Sequence, residues 1–140
     1  MNPVQKLMRI VEENAVITNL RITDDRLTEL LNQRDQQEFS TKWMEAFQRI
    51  VGTQTNGVND IPHPDEVLKL RELCYLQAYR RWKSADLAAY ISDDMGLVGD
   101  ALLVNATDPW INALLREYLS GRFPTGRLAE LDGDLSKQLG

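Results

Sequence analysis

The stretch PDEVLKLRELCYLQAYRRWK, residues 64–83, decides the fold class. Pro64 fits the first turn of a helix, because its missing N–H costs nothing there. Asp65 and Glu66 follow at the positive end of the helix dipole. Val67, Leu68, Cys74, Tyr75, Ala78, Tyr79 and Trp82 then share one wide face, with Lys69, Glu72, Arg80 and Lys83 opposite. That periodicity predicts a long helix near the centre of the fold, buried over much of its circumference.

Outward from it, the helical signal repeats. Val4, Leu7, Met8 and Val11 fall on one face near the N-terminus. Residues 15–23 alternate apolar and polar, but a lone strand has no partner in this chain, so they read as an extended connector. Thr23-Asp24-Asp25 reads as a cap before Leu27, Leu30 and Leu31. Ser40 or Thr41 is expected to cap a helix with Trp43, Phe47, Ile50 and Val51 as its stripe, Phe39 stapling onto Met44 and Gly52 ending it. Residues 52–62, GTQTNGVNDIP, form the clearest surface loop. Ser84 caps a short helix through Ile91, and Asp108-Pro109 opens another that Ser120-Gly121 stops. Residues 125–140 carry leucines at helical spacing interrupted by Gly133, which predicts a weakly ordered terminal helix. The expected architecture is all-α: one domain over residues 1–140, with about six to eight short helices around the central helix 64–83.

The composition is that of an ordinary globular domain, at 43% hydrophobic and 26% charged. The chain carries 16 basic and 21 acidic side chains, a net charge of −5, spread evenly along its length. This disfavours nonspecific nucleic-acid binding, which needs a positive surface. No apolar run is long enough to span a bilayer. The start, MNPVQKLMRIVEENA, lacks the continuous apolar core of a secretory signal. With one cysteine, Cys74, the expectation is a cytoplasmic protein without a disulfide framework.

Candidate chemistry is sparse. A single histidine, His63, and a single cysteine cannot build an all-N/S zinc site. His63 and Cys74 stand about 16 Å apart if one helix carries both, too far for a catalytic pair. Cys74, mid-helix on the apolar face, reads as a small core residue. Gly96 and Gly99 precede no lysine, so they form neither a P-loop nor a dinucleotide fingerprint. No cofactor is implied. Tyr79-Arg80-Arg81-Trp82-Lys83 interleaves cations with aromatics. The simpler reading is a helix C-terminus, with Tyr79 and Trp82 facing the core and Arg80 and Lys83 exposed.

YISDDMGLVGDALL, residues 90–103, poses the sharpest question. Asp93 and Asp94 diverge by about 100° if helical, so they do not converge on one ion. Ser92-Asp93-Asp94 repeats the pattern of Thr23-Asp24-Asp25, which predicts a helix ending near Ile91 and a new one capped by Ser92. Gly96 and Gly99 lower helix propensity and leave room for close approach by a helix or a partner, with Asp100 beside them.

These readings point to a non-enzymatic protein-binding module, of the acidic inhibitor or immunity type, docking on a basic protein. The candidate interaction residues are Arg80, Lys83, Asp93, Asp94, Gly96, Gly99 and Asp100. The alternative is a nucleic-acid-associated regulator using Arg80, Arg81 and Lys83, and a metal enzyme with interhelical aspartates stands last. Trp43, Trp82 and Trp110 supply enough apolar helix surface to leave room for a homodimer.

Overall fold

The computed structural model describes residues 1–55 and 64–140; the expected loop tip and His63 lie outside them. Six α-helices make one all-helical domain, with no strand among the described residues. None of the helices is long and apolar enough to cross a membrane.

Helix α1 (Pro3–Glu12) starts in a capping box. Asn2 Oδ1 accepts from Gln5 N at 2.8 Å, and Gln5 Oε1 accepts from Asn2 N at 3.0 Å. Two free N–H groups are thereby satisfied. Val4, Leu7 and Val11 are its buried face. Residues 15–23 are indeed a connector, containing one 3-10 turn (Ile17–Asn19). Val16, Ile17, Leu20 and Ile22 are buried beneath it. Trp82 Nε1 donates to Ile22 O at 3.0 Å and holds this connector to the core.

A 3-10 turn (Asp24–Arg26) runs into α2 (Leu27–Arg34). Helix α3 (Gln37–Thr55) begins earlier than the expected Ser40/Thr41 cap and passes through Gly52. Ser40 lies inside it, its Oγ donating to Gln37 O at 3.2 Å. The reason is Phe39: it is a core residue, its ring 5.3 Å from that of Trp110, so the apolar stripe starts before the hydroxyls.

Helix α4 (Asp65–Trp82) matches the stretch that set the fold class. Lys83, left-handed at φ 57°, and Ser84 form a two-residue link, and α5 (Ala85–Leu103) folds back along α4. Ser84 caps α5 by accepting from Leu87 N at 3.1 Å. The α4–α5 pair is the centre of the fold, and α5 is the more deeply buried of the two. Helix α4 buries one stripe, Val67, Leu70, Cys74, Ala78 and Trp82. Helix α5 buries nearly every residue from Ile91 to Leu102, Asp93 excepted. The break expected at Ser92 is therefore absent. Ser92 Oγ donates instead to Arg71 O at 3.1 Å on α4, a cross-helix bond that sequence pattern alone does not reveal.

Gly96 and Gly99 sit where the two helices meet. A Cβ on Gly99 would stand 3.2 Å from both methyls of Val67, and one on Gly96 2.8 Å from Arg71 Cδ. Helix α6 (Pro109–Leu119) opens as predicted, with Asp108 Oδ1 accepting from Trp110 N and Ile111 N at 3.1 Å each. Gly121, at φ +83°, follows its end. In the tail the predicted helix is only a 3-10 turn, Leu135–Leu139. The rest is irregular chain laid along α6. The buried Asn112 donates to Leu131 O and Gly133 O at 2.7 and 2.8 Å.

Candidate functional site

Four helices converge on one carboxylate. Asp94 on α5 is fully buried and Arg34, in the last turn of α2, is 4% exposed. Arg34 Nη2 donates to Asp94 Oδ1, which also accepts from Trp43 Nε1 on α3 at 2.9 Å. Tyr118 OH on α6 donates to Asp94 Oδ2. Arg34 Nη1 reaches Pro124 O at 3.4 Å. The guanidinium carbon stands 4.2, 4.9 and 5.2 Å from the ring centres of Phe39, Tyr90 and Phe123. An arginine is the cation suited to such a cage, because its planar, weakly hydrated head tolerates aromatic faces.

The electrostatics follow the burial. Burial opposes the Arg34 cation, but the neighbouring Asp94 carboxylate outweighs it and raises the arginine's pKa. Burial, then the Asp94 charge, drives the Tyr118 phenol well above its ordinary value. Tyr118 thus stays protonated and keeps donating. A carboxylate sealed from solvent and held by three donors is out of reach of an incoming ion, so Asp94 is a brace rather than a reactive group. Cys74 is likewise inert, its thiol pushed up by burial alone. No grouping of three His, Cys, Asp or Glu suited to a metal occurs among the described residues.

Above the brace lies a groove of about 240 Å³ between α2, α3 and α5. Arg34, Phe39, Trp43, Met44 and Tyr90 make its floor and walls, and Asp35 and Asp93 stand on its rim. Met44 is 49% exposed. Trp43 is half-buried and stacks on Phe47 at 5.6 Å. Tyr90 OH donates to Asp35 Oδ1, and that bond, with some burial, raises the Tyr90 pKa. Asp93 pairs with Arg71 at 2.7 Å. Partial burial raises the Asp93 carboxyl, with Arg71 pulling the other way.

The sequence-predicted residues therefore separate. Asp93 reaches the groove rim and Asp94 braces it from beneath, neither acting as a helix cap. Gly96 and Gly99 face α4 inside the fold, and Asp100 is buried. Arg80, Arg81 and Lys83 are exposed at the end of α4, Arg81 lying 5.3 Å from the Trp82 ring centre; none of them lines the groove. Trp82 faces the core as expected, but Tyr79 does not. It is 43% exposed and stacks on Tyr75 at 6.2 Å. The buried stripe of α4 passes through Ala78, and Tyr79 stands about 100° further round.

Arg34, Asp35, Tyr90 and Tyr118 carry no site signal in the sequence, and Trp43 reads there only as part of an apolar stripe. One local signal pointed toward them. Asp94 occupies the position between Ile91 and Val98 where an apolar side chain belongs, and a carboxylate there must find donors.

Fold and site define a small helical domain whose polar investment goes into bracing a surface groove, as in a protein-binding module. Residues 6–125, 120 of the 140, match the family model described as immunity protein PIM1, and the chain belongs to that family. No curated protein and no solved structure matches significantly.

Proposed function

We propose that this chain neutralises a partner toxin by direct binding, and that a cationic surface of the toxin docks into the groove between α2, α3 and α5. The observation that carries the reading is the pairing of an aromatic floor with a carboxylate rim over a buried brace. Trp and Tyr anchors supply most of the energy at protein interfaces when they are held rigid and dehydrated on docking. Here Trp43 is fixed from below by Asp94, and Tyr90 by Asp35. Asp35 and Asp93 add a charge that speeds encounter with a basic surface. Such a protein acts by occupancy and needs no reactive group.

The test uses the toxin domain against which the protein gives protection. Met44→Asp spoils the floor without touching the brace, and Asp35→Lys with Asp93→Lys reverses the rim. Each is expected to weaken binding at least about tenfold, as removal of an interface anchor does. The wild-type association rate should fall as salt rises from 50 to 500 mM, on the order of the screening expected for exposed charges. Folded groove variants that bind and protect like wild type would remove this reading.

A further inference from the structure

Beside the start of α2 lies a second cleft, of about 480 Å³, with the opposite charge. Arg21, Arg26 and Arg122 line it, with Thr23 and Thr125 beside them. Its one lining carboxylate, Glu117, is held by Arg122 through two bonds of 2.8 and 3.3 Å. Three cations against one anion leave the lining at +2, on a chain whose net charge is −5. Arg26 has an exposed neighbour of opposite sign in Glu29, at 3.2 Å. Arg21 has no carboxylate within ion-pair distance among the described residues.

The position of Arg21 is set by the backbone. Its N–H donates to Gly121 O at 2.9 Å. Its Nη1 lies 2.8 Å from where a Cβ on Gly121 would stand. A side chain at 121 would crowd the guanidinium and push it aside, and φ +83° already favours glycine there. The cleft also adjoins the groove. Leu30 lines the cleft and Arg34 lines the groove, four residues apart on α2, about 6 Å along the axis. Phe123 lines the cleft and also packs under the Arg34 guanidinium. Sites this close fall within reach of one interface of ordinary size, roughly 800 Å² on each partner.

We infer that the arginine cleft is the second pole of the partner interface and takes a carboxylate side chain of the same protein that fills the groove. The inference rests on the toxin-binding reading above. An acidic groove and a basic cleft side by side admit a partner in one orientation only, because the reversed pose sets like charges together. Guanidinium groups suit the role, since their paired N–H donors match the two oxygens of a carboxylate.

The cleft is probed first without the toxin, using a blocked tri-glutamate peptide and, separately, inorganic phosphate at matched ionic strength. The side-chain N–H signals of Arg21 and Arg122 are followed by NMR. Saturable shifts with the peptide, lost in Arg21→Ala and Arg122→Ala, are expected. Shifts with phosphate alone, or peptide shifts that survive both substitutions, overturn the inference. With the toxin, Arg21→Ala should weaken binding about fivefold, the upper range for one exposed pair. Toxin binding that depends on Met44 and Asp93 but is indifferent to Arg21 and Arg122 sinks the cleft and leaves the groove standing. Binding indifferent to all four residues sinks both.

Discussion

Arg34 and Asp94 stand sixty residues apart in the chain and meet as an ion pair sealed from solvent, with Trp43 and Tyr118 donating to the same carboxylate. Buried pairs of this kind are weak evidence for net stability, because both charges lose their hydration. Removing one partner is another matter. Arg34→Met would leave the Asp94 carboxylate buried without its cation and should cost about 3–5 kcal/mol. Asp94→Asn keeps the shape and one acceptor, so it should cost less. The double variant should be better than the sum of the singles by about 1 kcal/mol or more, read from urea unfolding midpoints. Additive losses would show that the two side chains do not act as one unit.

The two glycines on α5 should respond differently to alanine. At Gly99 a Cβ meets both methyls of Val67 at 3.2 Å and Leu70 Cδ2 at 3.5 Å. Val67 is β-branched and both neighbours are locked in the core, so the packing must give by a few tenths of an ångström, at about 1–3 kcal/mol for overpacking. That outweighs the helix-propensity gain of about 1 kcal/mol. At Gly96 the obstruction is the stem of Arg71, a long side chain that can swing away. Gly96→Ala should therefore be near neutral in thermal stability. It should nevertheless release Arg71 from Asp93 and make the groove rim more negative, which a faster, more salt-sensitive association with the toxin would report. Equal destabilisation by both alanines would contradict this account.

What could be read from the sequence was whatever is local. Pro64 with its acids, Ser84, and Asp108-Pro109 each start a helix where expected; at Ser84 and Asp108 the capping oxygen and the N–H groups it satisfies lie within four residues, while Pro64 caps with no side-chain bond. The same rule misled at Ser92-Asp93-Asp94. Hydroxyl and acids there repeat the pattern of Thr23-Asp24-Asp25, where Thr23 itself makes no side-chain cap bond, and their partners are Arg71, Arg34 and Tyr118 on other helices. Arg34 was equally opaque, since a cation in a last helical turn is ordinarily a surface residue answering the dipole. The groove exists only once α2, α3 and α5 are placed together. Its residues carried no shared pattern. The immunity-type reading is supported by the family match over residues 6–125, not by a pattern these residues share.

Alkaline pH offers a test of the buried protonated groups. Tyr118 and Cys74 titrate near 10.0 and 9.0 when unperturbed, and burial raises both in the fold. The folded state therefore holds these protons more tightly than the unfolded chain. Their contribution to stability is fully present below the unfolded values and is lost as pH rises through and beyond them. From pH 9, and more steeply from pH 10, stability should fall by about 1.4 kcal/mol per pH unit for each group. Tyr118→Phe leaves Asp94 Oδ2 without its donor and should cost about 1–3 kcal/mol at pH 7. It should also flatten the decline above pH 10, so that mutant and wild type converge. Cys74→Ala should flatten the part that begins near pH 9. The measurement is the urea midpoint at pH 7, 9.5 and 10.5 for the three proteins. Parallel declines in all three would mean that the alkaline loss comes from other groups, and that the phenol of Tyr118 is not sealed by the contacts that brace Asp94.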